Sequence, residues 1–131
     1  MRHEDLFKDE RAKIERALEA LDRIAAQVEA GEPVPAEAAA TVALLNQTEE
    51  AEYDASQNHE DRPVLTVCVA EHEAAWVLLR QLRRALDARE RGDPAAGPMF
   101  AQNARDYAQL RREHMKRDDR LFARATGSTK A

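Results

Sequence analysis

His72, His114, Glu49, Glu52 and Arg11 each fall on a line of residues that otherwise reads as apolar and inward-facing, with Asp118 or Asp119 a turn beyond. An unpaired charge is costly to bury, so polar side chains at such positions need partners. Imidazoles and carboxylates converging from several helices are how helical bundles build metal centres. Cys68, one turn before His72, adds a thiol that serves as ligand or redox switch in one reading and as a small core residue in the other. A single inward histidine is commonly a hydrogen-bonded core residue rather than a ligand. Two of them, with carboxylates on separate stripes, favour a real polar cluster. His3 and His59 read as solvated, and the chain has no Gly-rich phosphate loop, nucleophile elbow or CxxC pair.

The elements that must position these residues are helices. Ala, Leu, Glu and Arg dominate the 131 residues, and all four are strong helix formers. Phe7, Arg11, Ile14, Leu18, Leu21, Ala25 and Val28 recur at three- and four-residue steps, which predicts a first helix over about 2–30. Gly31, Pro33 and Pro35 end it. A second helix over 35–57 carries Val42, Leu45, Glu49 and Glu52 on its inner line. The polar run 57–63 reads as a connection, with Asp61 as N-cap of a third helix that extends to Arg91 and buries Leu65, Cys68, His72, Trp76, Leu79 and Leu86. Gly92-Asp93-Pro94 and Gly97-Pro98 bracket the next loop, and a fourth helix turns Phe100, Tyr107, Leu110, His114 and Leu121 inward. The expected fold is all-α: an antiparallel up-down-up-down four-helix bundle over residues 1–125, followed by a flexible tail over 126–131.

Bulk properties narrow the function classes. The net charge of −5 argues against nucleic acid as a partner, because phosphate binding needs a concentrated basic surface. Acidic residues interrupt the cluster Arg80, Arg83, Arg84, Arg89 and Arg91, which reads as a solvated helix face. One cysteine cannot form an internal disulfide, and the charged opening MRHEDLFKDER lacks the apolar core of a signal peptide. No apolar stretch approaches the roughly 20 residues needed to span a bilayer. The expectation is a cytoplasmic protein without membrane, nucleotide or haem.

Residues 69–82, VAEHEAAWVLLRQL, resemble the third helix of the bacterial hemerythrin-like (HHE) domains, where an EH pair supplies an iron-ligating histidine; His72 takes that position. Residues 113–122, EHMKRDDRLF, resemble the fourth-helix motif of a His followed five residues later by a carboxylate and then Leu-Phe. His114 and Asp119 match it, with Asp118 as the neighbouring carboxylate. Residues 7–18, FKDERAKIERAL, resemble the first helix, whose usual pattern is EH or DH followed by an Ile-Glu pair.

The chain departs from the family at two histidines. Arg11 stands where the first helix carries one. On the second helix Leu45 takes the His position and Glu49 the Glu position, or, in an alternative register, Thr48 and Glu52 do; either way that histidine is missing. The resemblance thus implies a ligand set of His72, His114, Asp119 and Glu49, with Glu52, Asp118 and Cys68 as further candidates. Members with the full set hold two non-haem irons that react with oxygen, peroxide or nitric oxide, or that sense iron. The reduced set implies a single iron, manganese or zinc ion. Arg11 points to the other reading: turned inward, its guanidinium pairs bidentately with Glu49 or Glu52 and replaces the metal charge, whereas turned outward it touches nothing. That yields a metal-free bundle acting as a regulatory or interaction module. The residues fix no reaction type, so an enzymatic role is left open.

Overall fold

The computed structural model describes the backbone of residues 3–57 and 62–125, and the side-chain surroundings of residues 9, 11–54 and 70–117. The described chain is all-helical: α1 (His3–Glu29), α2 (Glu37–Gln57), α3 (Arg62–Glu90) and α4 (Ala96–Ala125). Among the described residues there is no strand. The run Val64–Val69, rich in β-branched residues, lies within α3, where flanking helix formers outweigh its local preference.

Glycine ends two of the helices by the same device. Gly31 adopts φ 97° and Gly92 φ 73°, a region that only glycine visits at little cost. The Gly31 N–H bonds the Val28 carbonyl at 3.0 Å and the Glu32 N–H bonds that of Gln27 at 3.0 Å. Gly92 and Asp93 repeat the pattern on Arg89 and Ala88, both at 2.9 Å, so the last carbonyls of α1 and α3 are satisfied as in a Schellman motif. Asp93 then starts α4: its Oδ1 accepts the Ala95 N–H at 2.9 Å and its carbonyl that of Ala96 at 3.1 Å. Gly97-Pro98, expected in the loop, belongs to the first turn of α4 instead. A first turn tolerates proline because its N–H groups have no intrahelical acceptor.

Each helix packs on its sequence neighbours, and α1 closes on α4; among the described residues α1 with α3 and α2 with α4 have no close backbone approach. Ion pairs mark the register of that closure. Along α1, Asp22 and then Glu29 meet Arg112 and then Arg105 on α4, at 2.6 and 2.7 Å. Leu18, Leu21, Ile24, Val42, Leu45, Leu79, Leu82 and Phe100 are fully buried between the helices. Full burial of such a side chain is worth about 1.5–3 kcal/mol, so this core outweighs the exposed ion pairs, worth about 0–1 kcal/mol each. Many remaining core positions are alanines, among them Ala17, Ala25, Ala38, Ala75, Ala85, Ala101, Ala104 and Ala108. Small side chains let helix axes approach closely. At Gly97 α4 comes close to α1: a Cβ there would stand 3.1 Å from Val28 Cγ1.

Candidate functional site

The buried polar side chains of the described residues are Thr48, Glu49, His72, Arg111 and His114. Glu49 is their hub. It follows Val42 and Leu45 at three- and four-residue steps, so the stripe that buries those residues also buries Glu49, which is 1% exposed. Its carboxylate is fully engaged: Oε2 lies 2.6 Å from His72 Nδ1, and Oε1 accepts the Tyr107 hydroxyl at 2.8 Å and Arg111 Nη1 at 2.9 Å. Burial pushes the Glu49 pKa up, but the His72 hydrogen bond, the Arg111 charge and the Tyr107 hydroxyl outweigh it. The net effect holds Glu49 below the ordinary carboxylate range. Tyr107 moves well above its usual value, first through burial and then through the Glu49 charge.

With Glu49 ionised, His72 donates to it through Nδ1–H, the tautomer that in a neutral ring leaves the lone pair on Nε2. A carboxylate on one ring nitrogen, fixing the tautomer and the ring orientation, is the usual support of a metal-ligating imidazole. His114 is built alike, with Nδ1 on Glu71 Oε2, and Arg117 flanks that same carboxylate. The two imidazoles are neighbours, with ring centroids 5.9 Å apart and planes tilted by 55°. Tyr53 stands edge-on to His72 and 5.0 Å from Trp76, closing the α2–α3 side with aromatic surface. Between the two imidazoles and the Glu49 hub lies a cavity of about 10 Å³, its polar lining Glu49, Glu71, His72, Arg111 and His114 and its apolar lining Ala75 and Leu110. Such a volume holds one water-sized group and excludes an organic substrate.

The cation at the hub is Arg111. Its Nη1 bonds Glu49, its Nη2 pairs with both oxygens of Glu52, and its side chain is 4% exposed. Arg111 thus spans from α4 to two carboxylates of α2. The Arg111 pKa is raised: burial alone would lower it, and the charges of Glu52 and Glu49 more than reverse that. Its Nε–H, also buried, meets no acceptor.

Several residues singled out in the sequence find other surroundings. Arg11, expected on Glu49 or Glu52, reaches Glu15 Oε1 and the Met115 carbonyl, both at 3.4 Å, and its side chain is 24% exposed. Met115 lies one turn beyond Arg111 on α4, so Arg11 sits past the layer of the hub, and the charge role falls to Arg111. Both proposed registers of α2 send a carboxylate to the cluster, since Glu49 and Glu52 share Arg111. Thr48 spends its hydroxyl on the Leu44 carbonyl at 3.0 Å, and Leu45 is ordinary core. The side chains of Cys68, Asp118 and Asp119 lie outside the described residues. Arg111 and Glu71 complete the cluster without having been singled out, and Tyr107, expected on the inward line of the fourth helix as core packing, joins them through its hydroxyl. Tyr107, Arg111 and His114 follow one another at steps of four and three, a signal that was present in the sequence.

Glu49, Glu52 and His72 each offer a ligand atom within 4.8 Å of the others, a spacing that can close on a metal ion. Two carboxylates and an imidazole suit Fe(II), Mn(II) or Zn(II). The fit has one condition. Atoms bound at about 2.0–2.1 Å to a tetrahedral ion stand about 3.3 Å apart, whereas His72 Nδ1 and Glu49 Oε2 are in hydrogen-bond contact at 2.6 Å. An ion therefore needs the pair to part, or the imidazole to bind through Nε2, and it must share carboxylates that Arg111 now holds. Compared with known protein families, with characterised proteins and with solved structures, the chain gives no match in any of the three.

Proposed function

We propose that this chain is a hemerythrin-like, antiparallel up-down-up-down four-helix bundle that holds a single divalent cation in a reduced site. Glu49, Glu52 and His72 would hold the ion, with His114 facing it across the cavity. What carries the reading is the approach of those three ligand atoms to within 4.8 Å of one another in the interior. The His72–Glu49 and His114–Glu71 pairs add support, because carboxylates that orient imidazoles are a usual companion of metal ligands. Iron there would supply redox reactivity toward oxygen, peroxide or nitric oxide, and the small cavity limits any partner to that size. The chain's own residues orient the imidazoles and, through Tyr53 and Trp76, cover the α2–α3 side with aromatic surface.

Metal analysis and Mn(II) or Zn(II) titration of protein purified without a histidine tag test this. One ion per chain, lost in Glu49→Gln and in His72→Ala, is the expected outcome; two ions per chain, or binding that survives both changes, would contradict it. A second reading is favoured by Arg111, which already neutralises the carboxylates. In that reading the cluster is a metal-free charged core of a regulatory or interaction module, and no titration detects binding.

A further inference from the structure

We propose that Arg111 is an internal competitor for the metal: its guanidinium occupies Glu49 and Glu52 in the metal-free protein and must withdraw before a divalent cation binds there. This rests on the metal reading above and adds to it the residue that sets affinity.

The carboxylates are shared ligands. Glu49 Oε1 accepts both Tyr107 and Arg111, and Glu52 receives Arg111 Nη2 on both oxygens. An ion drawing on Glu49 and Glu52 meets oxygens that already accept from Arg111. Charge sharpens the conflict. Two carboxylates with one guanidinium leave one negative charge, whereas a divalent ion beside a retained guanidinium leaves a net positive charge in a buried site, which is costly. With the guanidinium gone, the two carboxylates and the ion are neutral.

The guanidinium is not held at every donor. Its Nε–H is buried without an acceptor, so its current position satisfies only part of its donor fork. Glu52 offers the route: its side chain is 34% exposed, and a long arginine that follows it reaches water while its methylenes stay packed. A lysine or an apolar residue at 111 would lack the fork that spans both carboxylates.

The test compares the parent with Arg111→Met and Arg111→Lys, using Zn(II) calorimetry and Mn(II) titration followed by the free-ion magnetic resonance signal. Circular dichroism confirms that each variant is helical. Arg111→Met should bind about ten- to a hundredfold more tightly, the range of a typical coupling between sites, with Arg111→Lys in between. Binding by Arg111→Met alone, with none by the parent, supports the inference in its strongest form. Equal affinities in parent and folded variants overturn the competition and leave the metal reading intact, whereas no binding by either sinks both. If Arg111→Met does not fold, the parent decides. Saturating Zn(II) should shift or broaden the Arg111 Nε–H resonance in the nitrogen-15 spectrum, and a resonance left in place overturns the proposal.

Discussion

Tyr107 and Arg111, one turn apart on α4, donate into the same oxygen of Glu49 from distances of 2.8 and 2.9 Å. The pairing explains how a carboxylate 1% exposed stays ionised: an aromatic hydroxyl and a guanidinium on one oxygen, and an imidazole on the other, replace its water.

Removing the cation should therefore be costly. Arg111→Met leaves Glu49 charged and short of a partner, and breaking a buried pair costs about 3–5 kcal/mol. Arg11→Ala should cost far less, because that side chain keeps 24% of its surface in solvent, where ion pairs are screened. Urea unfolding of both variants in the presence of a chelator checks the order. An Arg11 loss equal to that of Arg111 would move the charge role back to α1.

Tyr107→Phe keeps the buried ring and deletes one donor to a charged acceptor. A loss of about 1.5–3 kcal/mol is expected, the usual worth of a hydrogen bond to an ionised group. Thermal melting reads it, and an unchanged melting temperature would mean that the hydroxyl contributes nothing at Glu49.

Acid should weaken the fold through Glu49. Its folded pKa lies below the ordinary 4.5, so the stability it contributes is present above about pH 4.5 and disappears as pH falls through the lower folded value. Unfolding midpoints followed from about pH 6 to about pH 3 should drop less steeply in Glu49→Gln than in the parent. High salt keeps the measurement on Glu49, because it screens the exposed Glu29–Arg105 pair, which is held low in the same direction. Parallel acid limbs would count against the buried network.

The helix ends offer a check free of the site. Gly31→Ala and Gly92→Ala force a Cβ into left-handed backbone, at a cost of about 1–2 kcal/mol each. Neither position has an atom within 4 Å of the new methyl, so any loss belongs to the backbone alone. Unchanged denaturation midpoints would show that neither turn holds the conformation described.

Helices and inner stripes were legible in the sequence because periodicity is a local property. Ile14, Leu18 and Leu21 on α1, and Val42, Leu45 and Glu49 on α2, are buried as their spacing required. Polar partners were not legible in the same way. Which guanidinium meets Glu49 depends on how far one helix slides along another, and that is set by packing across the core. Arg11 and Arg111 both stand on plausible inner lines; the register of α1 against α4 puts the first beside Met115, and that of α4 against α2 puts the second beside Glu49. Glu71, next to His72, was similarly hidden: its partner is an imidazole on another helix.

The alanines that line the interior make sequence drift in this protein one-sided. Ala25, Ala38, Ala85 and Ala104 have no side chain to trim short of glycine and are shut off from solvent, so a larger side chain there must displace packed neighbours, and overpacking typically costs about 1–3 kcal/mol. Variation that the fold survives should therefore collect on the outer faces. A mutational library would return these small residues as nearly invariant, an invariance that comes from helix spacing alone and touches no ligand.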